Sequence, residues 1–273
     1  MKVIFTSFMY FFHFCISISW AQSGMEVFPA GARSRAMAHA QVAIADEWSL
    51  FNNIGAIGNL KESSIFCSYD QRLGINDLTT LGAGAVIASD WGNFGLGVSR
   101  YGGEVFNQQL INVGYGHQMG IASLGAQLIY LQTNIEGYGK RAVPLIGFGG
   151  RAALSPEFYF GAYLFNVGRA KYGPDTDDYY PTVLQVGLAY LPETKLSVSL
   201  EAEKDILLPA SFKMGLEYNL VHKFWARCGA STAPSNFHFG LGFRPRKFKI
   251  DYALGQNNKL GSTHHFSMSY IIH

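Results

Sequence analysis

The residues of this chain that could do chemistry are few and scattered. Eight histidines are present, and only His264 and His265 are adjacent. A metal centre needs three or four ligands converging at short range, and no third ligand stands near that pair in sequence. The spacing places it at an outer strand end, as solvent-facing loop histidines. Glu201 and Glu203, two apart, offer the paired carboxylates that acid–base chemistry uses. No Ser and His stand at a spacing that would complete a nucleophilic triad beside them. Gly147-Phe148-Gly149-Gly150 is glycine-rich, but neither the Lys nor the helix of a phosphate loop follows. These patterns point away from an enzyme and call for no metal or cofactor.

The elements that must position these residues are strands. Phe94, Leu96 and Val98 alternate with Asn93, Gly95, Gly97 and Ser99, and Leu184, Val186, Leu188 and Tyr190 with Gln185, Gly187 and Ala189. Phe237, Phe239, Leu241 and Phe243 alternate with His238, Gly240 and Gly242, and the pattern continues to Phe266, Met268 and Tyr270. A period of two is strand geometry, because successive side chains point to opposite faces. In a soluble sandwich the second face meets water and carries Lys, Glu and Thr. Here it is mostly Gly, Ser, Ala and Asn, which suits a confined lumen, while the apolar face ends in tyrosines like an interfacial girdle. Composition agrees: 48% of residues are hydrophobic and 15% charged, against about a quarter charged in soluble domains. Mean hydropathy is +0.09, far too low for a helical membrane protein. The expected fold is therefore all-β, a transmembrane antiparallel barrel.

Turn signals set the strand count. Strands are expected near 64–70, 78–88, 91–100, 108–117, 120–131, 143–153, 157–166, 182–191, 195–203, 211–219, 223–231, 236–244, 247–255 and 263–272. That makes about fourteen strands, with about twelve as the alternative count. Connections after even-numbered strands are tight, such as Ser89-Asp90 and Pro245-Arg246; those after odd-numbered strands are mostly longer, the longest spanning 167–181. Short periplasmic turns alternating with longer outer loops are the expected pattern.

Met1-Lys2, an apolar run and Ser19-Trp20-Ala21 read as a signal peptide cleaved after Ala21, so residues 1–21 are expected to be a leader for export to the outer membrane. Cys67 and Cys228 fall on the lipid side of the alternation as small apolar fillers. The formal charge of +2 comes with no dense basic block, so no nucleic-acid partner is expected.

Residues 22–62 read as a hatch and 63–273 as the barrel. The hatch is Ala-rich from Gly31 to Ala45, then bulky at Trp48 and Phe51, too short and polar to span lipid and suited to folding into the barrel mouth. Its candidate functional residues are Arg33, Arg35, Asp46, Asn52 and Gly55. On the barrel, the alternation turns Arg151, Glu201, Glu203, Lys213, Glu217, Arg227, His238, Lys249 and Asp251 inward. Two uses fit these balanced charges: a polar path or electrostatic seat for Arg33 and Arg35, and a wall-stiffening filler, which the balance favours. The N-terminal half of the wall is read as Gly, Ser and Asn, leaving room for the hatch.

The stretch Gly31-Ala32-Arg33, Met37-Ala38-His39-Ala40, Ala43-Ile44-Ala45-Asp46-Glu47 and Asn52-Asn53-Ile54-Gly55 resembles the N-terminal signature of PorV/PorQ-type outer-membrane proteins. These form part of a wider class of barrels similar to FadL long-chain fatty-acid transporters. The family pattern has Gly-Gly where this chain has Ala38-His39, and Pro-Ala where it has Asn53-Ile54. The resemblance implies a fourteen-stranded barrel with an N-terminal hatch. It also implies a non-catalytic accessory of type IX-like protein secretion or cell-surface assembly, with a translocon or exported proteins as partners beside outer-membrane lipid. The alternative is a FadL-like channel for hydrophobic small molecules, for which Pro144 is the candidate strand kink; the inward charges count against a greasy channel.

Overall fold

The computed structural model describes residues 28–173, 177–193, 195–257 and 261–272; the leader with its Ala21 cleavage site lies outside them. Fourteen strands close into one antiparallel barrel in which each strand pairs with its sequence neighbours and the last with the first. They are β1 (Ser64–Arg72), β2 (Ile75–Ile87), β3 (Asn93–Gly102), β4 (Phe106–Met119), β5 (Ala122–Ile135), β6 (Gly139–Ala153) and β7 (Phe158–Phe165). The second half comprises β8 (Val183–Glu193), β9 (Leu196–Asp205), β10 (Ser211–Val221), β11 (Phe224–Thr232), β12 (Ser235–Phe243), β13 (Phe248–Asn257) and β14 (Gly261–Ile271). The seam is a full ladder from Ser64↔Ile271 to Arg72↔Thr263. Closure pairs every strand with a neighbour on each side, as a sheet surrounded by hydrocarbon requires; the outer part of β6 before Gly147 is the stretch that β7 does not reach. No helix among the described residues is long and apolar enough to cross a membrane; crossing falls to the strands.

Alternation places each residue on its face. Leu188 is 44% exposed on the outside, while Gln185 on the same strand is 8% exposed and turned inward. The outer surface is a belt of Leu96, Val113, Leu128, Leu200, Phe239 and their like. Aromatic pairs mark the rim of the turns after even-numbered strands, including Phe224–Phe243 and Phe248–Tyr270, each with ring centroids 4.8 Å apart. Against expectation, the turns after odd-numbered strands are no longer than these except for the β7–β8 connection, 166–182. Such a surface is stable only against lipid. Cys67 and Cys228 are exposed on this belt as free thiols.

Inside sits the N-terminal segment as a plug. It contains α1 (Ala32–Ala36), α2 (Ser49–Asn52) and a 3-10 helix (Ile54–Asn59) joined by tight turns. Each piece is too short to be stable by itself; the surrounding wall holds them. Trp48, Leu50, Phe51, Ile54 and Ile57 form one buried cluster with residues of β1, β2 and β4–β8.

Two departures from the sequence reading matter. Leu110, Ile129, Leu131, Val143, Leu145, Phe165 and Val183 are buried on the inward face, so the outer part of the β4–β8 wall is apolar rather than Gly, Ser and Asn. Pro144 does not break its strand. It pairs with Tyr130 of β5, while the β6–β7 ladder begins only at Gly147. The proline thus occupies a stretch paired on one side alone, where a missing N–H is tolerated.

Candidate functional site

The inward glycines are sockets for the plug. A methyl at Gly95 would lie 2.5 Å from Leu50 Cδ1, one at Gly97 2.5 Å from Phe51 Cζ, and one at Gly215 2.6 Å from Met37 Cβ. At Gly149 and Gly161 the added atom would collide with Asn53 and with the Val42 carbonyl. Glycine is therefore required along the wall for close approach of another chain segment. Gly55 repeats the rule from the plug side: its Cβ would run into the backbone of Gly149 and Gly150. Gly31 opens α1 at φ 79°, and a side chain there would strike the indole of Trp48.

Polar contacts then fix the plug in register. Asn53 donates to the carbonyls of Val42 at 2.6 Å and Gly150 at 3.0 Å, and accepts from Gly55 N–H at 3.1 Å. Asn93 donates to the carbonyls of Ile57 and Leu60, Asn112 to that of Leu50, and Ser123 to that of Gly55. Ala32 N–H donates to Ser267 Oγ. Buried backbone groups of a short irregular segment need such partners, and the barrel wall supplies them. Asn52 ties the plug to itself through the Ala30 carbonyl at 3.1 Å.

The charged residues gather on the opposite wall. Arg33 forks onto Glu217, with Nε and Nη2 at 3.0 and 2.7 Å, and reaches Asp46 at 2.9 Å. Glu217 also accepts from Arg227 at 2.5 Å and Arg244 at 3.2 Å, and Arg227 continues to Asp251 at 2.7 Å. Beside this network Glu47 takes Lys249 at 2.6 Å and Ser269 at 2.5 Å. Higher up, Glu201 accepts the backbone N–H groups of Gln41 and Val42, each at 2.9 Å. Lys213 bridges Glu201 and Glu203 at 3.3 and 2.6 Å. Arg151 donates to the Ala43 carbonyl at 2.7 Å and to Asn59 at 3.2 Å. Of the inward charges read from the sequence, Arg151, Glu201, Glu217 and Lys249 touch the plug directly; Glu203, Lys213, Arg227 and Asp251 pair within the wall. The ions are thus organised around the plug rather than spread as filler.

Arg35 takes a separate seat. It lies 3.6 Å from Asp70 on β1, donates to the Phe28 carbonyl at 2.8 Å, and sits 2.6 Å from His39 Nε2. Burial, then the charges of Arg35 and Lys213, hold His39 well below its ordinary pKa, so the ring is neutral and accepts from Arg35. Asp70 was not among the sequence candidates, although it continues the inward series Ser64, Phe66, Ser68 of β1. The His264-His265 pair also needs correcting. Both residues lie within β14 and point to opposite sides. His265 is 2% exposed and bonds Asp70 at 2.9 Å, whereas His264 faces outward against Tyr252 at 2.7 Å. They share no ligand, and among the described residues no cluster of His, Cys, Asp and Glu could hold a metal.

Above the plug, on the side of the β7–β8 connection, a cavity of about 390 Å³ remains. Its floor includes Phe28, Pro29 and Phe51 of the plug, and its walls run from Leu78 and Tyr101 to Lys213 and His238. It is apolar on one flank and charged on the other. Beside it the β7–β8 connection folds inward, burying Tyr180, whose hydroxyl meets Thr133 Oγ1 at 3.1 Å.

No family model matches the chain, and no curated protein matches it in sequence. Solved structures match in fold. A Pseudomonas aeruginosa FadL homologue superposes with TM-score 0.67 at 12% identity, over 90% of this chain and 99% of that one. A monoaromatic hydrocarbon channel, CymD, gives 0.65 at 12% identity over 92% and 99%. The Ralstonia pickettii toluene transporter TbuX gives 0.62 at 15% identity over 92% and 100%. The chain therefore has the closed fourteen-stranded architecture of FadL-type outer-membrane barrels. Two of these neighbours are named as a channel and a transporter; what they share with this chain is the fold.

Proposed function

We propose that this protein is an outer-membrane channel that takes up small hydrophobic compounds from the outside. The observation that carries the reading is the outer cavity of about 390 Å³, where Phe28, Pro29, Val42 and Phe51 of the plug offer apolar surface beside Arg35, His39, Gln41 and Asn52, in a barrel whose fold neighbours are a FadL homologue, a monoaromatic hydrocarbon channel and a toluene transporter. The inward apolar surface of β4–β8 lies beneath, packed with the plug and Tyr180, and gives the lumen an apolar side. In this reading a compound leaves water at the cavity, rests on Phe28, Pro29 and Phe51, and passes once the plug shifts. The charged wall positions the plug, and its Glu201, Glu203 and Lys213 also border the cavity, where they are paired with one another. In this reading the rim that carries the long β7–β8 connection faces the exterior and the rim of the turns after even-numbered strands the periplasm. The secretion-accessory reading rests on the resemblance of residues 31–55, the balanced charges of the lumen and a compact chain, and plug seating accounts for the first two.

The test is equilibrium dialysis of the purified full-length barrel against radiolabelled toluene and oleate. Saturable binding of either, reduced by Ser231→Trp in the cavity wall, is expected. Non-saturable uptake equal to that of detergent alone would overturn the channel reading. Recovery of a translocon or exported proteins in an affinity pulldown from native membranes, with no retained apolar ligand, would restore the accessory.

A further inference from the structure

The rim formed by the turns after even-numbered strands is electrically lopsided. Three turns that follow one another around the rim, β8–β9, β10–β11 and β12–β13, present Lys195, Lys223, Arg246 and Lys247 at the surface, with His222 beside them. Glu193, at the end of β8, is the nearest acid in sequence to Lys195. The three turns on the other side, β2–β3, β4–β5 and β6–β7, contain Asp90 and Glu157 and neither Lys nor Arg. Arg244 in the β12–β13 turn is engaged elsewhere: it bonds Glu217 and stacks 4.1 Å over the Trp225 ring. Seating the plug uses none of the other four cations.

One of these cations, Lys195, borders a groove at the rim. Between the β8–β9 and β10–β11 turns lies an open depression of about 450 Å³ lined by Lys195, Tyr218, Leu220, Val221, His222 and Trp225. Tyr218 and Leu220 belong to the outward, lipid-facing series of β10. Next to them the Phe224–Phe243 ring pair marks the interface level. The groove thus has Tyr218 and Leu220 toward the membrane core and Lys195 at its lip, with Lys223 in the adjoining turn, which is the polarity of a phospholipid with an anionic head. An acidic protein would satisfy the cations but would leave the apolar flank unused.

We propose that this arc of the rim binds the phosphate of an anionic phospholipid in the leaflet facing the periplasm, its chains lying along Leu220 and Phe224. The site is independent of the compound that the channel carries. It would fix the rotation and depth of the plug-seating strands β10–β13 in the membrane.

The experiment offers the purified full-length barrel equal amounts of phosphatidylglycerol and phosphatidylcholine in mild detergent and quantifies the lipid that co-purifies. A preference for phosphatidylglycerol of about fivefold is expected, the partition gain of a single cation at an anionic surface. It should fall to parity at high salt, where exposed charges are screened. The variant Lys195→Gln/Lys223→Gln/Arg246→Gln/Lys247→Gln should also reach parity, while Lys140→Gln/Arg141→Gln at the opposite end keeps the preference. Parity in the unaltered protein overturns the proposal, as does a preference that survives high salt; both readings stand even if the quadruple variant fails to fold. Parity together with salt-sensitive capture of an acidic protein would assign the rim to that protein instead.

Discussion

The plug touches two walls of different chemistry, and the two hold it in different ways. Against β3–β8 it packs apolar side chains into glycine sockets and hands its backbone to Asn93, Asn112 and Ser123. Against β9–β14 it is held mainly by ions, with Arg33 on Glu217 and Glu47 on Lys249 at the centre. The apolar contact is short-ranged and indifferent to pH and salt. The ionic contact is geometric and conditional, since removal of one partner leaves another charge buried and unmatched. A plug that must stay folded yet shift is served by one wall that packs and one that can be switched.

The sharpest way to break this comparison is at Glu217, where three guanidiniums meet one carboxylate. Glu217→Gln should destabilise the barrel by about 3–5 kcal/mol, the range for removing one partner of a buried pair, read as a lower urea midpoint of tryptophan fluorescence. Bilayer conductance should rise as the plug loosens. An unchanged midpoint would mean that Arg33 is held by packing after all. On the other wall, Leu131→Ala should cost about 2–5 kcal/mol as a buried cavity, while Leu128→Ala, three residues away on the lipid side, should cost much less. Equal costs would deny β5 an inward apolar face.

Most of the scaffold was legible because alternation and turn chemistry are local. Phe94, Leu96 and Val98 against Gly95 and Gly97 disclose both faces of β3 without any knowledge of its neighbours. Arg33 and Glu217 were each identifiable as candidates, but their meeting across 184 positions depends on how the plug threads the closed barrel. The apolar inward patch was missed although a signal was present. Leu128-Ile129-Tyr130-Leu131 and Val143-Pro144-Leu145-Ile146 abandon alternation for continuous apolar runs, which is how a strand buried on both faces reads. Asp70 and His265 escaped because a residue at an outer strand end looks solvated until the seam register Asp70↔His265 places the two side by side.

A smaller effect tests the faces of a single strand. Leu188→Arg puts a cation on the lipid belt and should cost about 2–4 kcal/mol near the midplane, measured as reduced folding yield into phosphatidylcholine vesicles. Gln185→Arg adds its charge beside Glu203, which Gln185 already contacts at 2.7 Å, and should fold nearly as well as the unaltered chain. Equal losses would reverse the face assignment of β8.

The subtlest expectation concerns pH and falls on the ionic side of the plug. His39 is buried and neutral, its pKa depressed by burial and by the cations Arg35 and Lys213. A group that binds its proton less readily when docked makes the undocked state the one that takes up protons as the medium acidifies. Its ordinary pKa is 6.5, so the docked plug should be unaffected above that value and lose stability progressively below it. Conductance of the reconstituted barrel should therefore rise as pH falls from neutrality toward 5. His39→Gln retains a side-chain acceptor for Arg35 without the titration, so it should flatten that rise while leaving the neutral-pH conductance little changed. If the rise persists in full in His39→Gln, the acid response belongs to another buried group around the plug, and His39 is not its sensor.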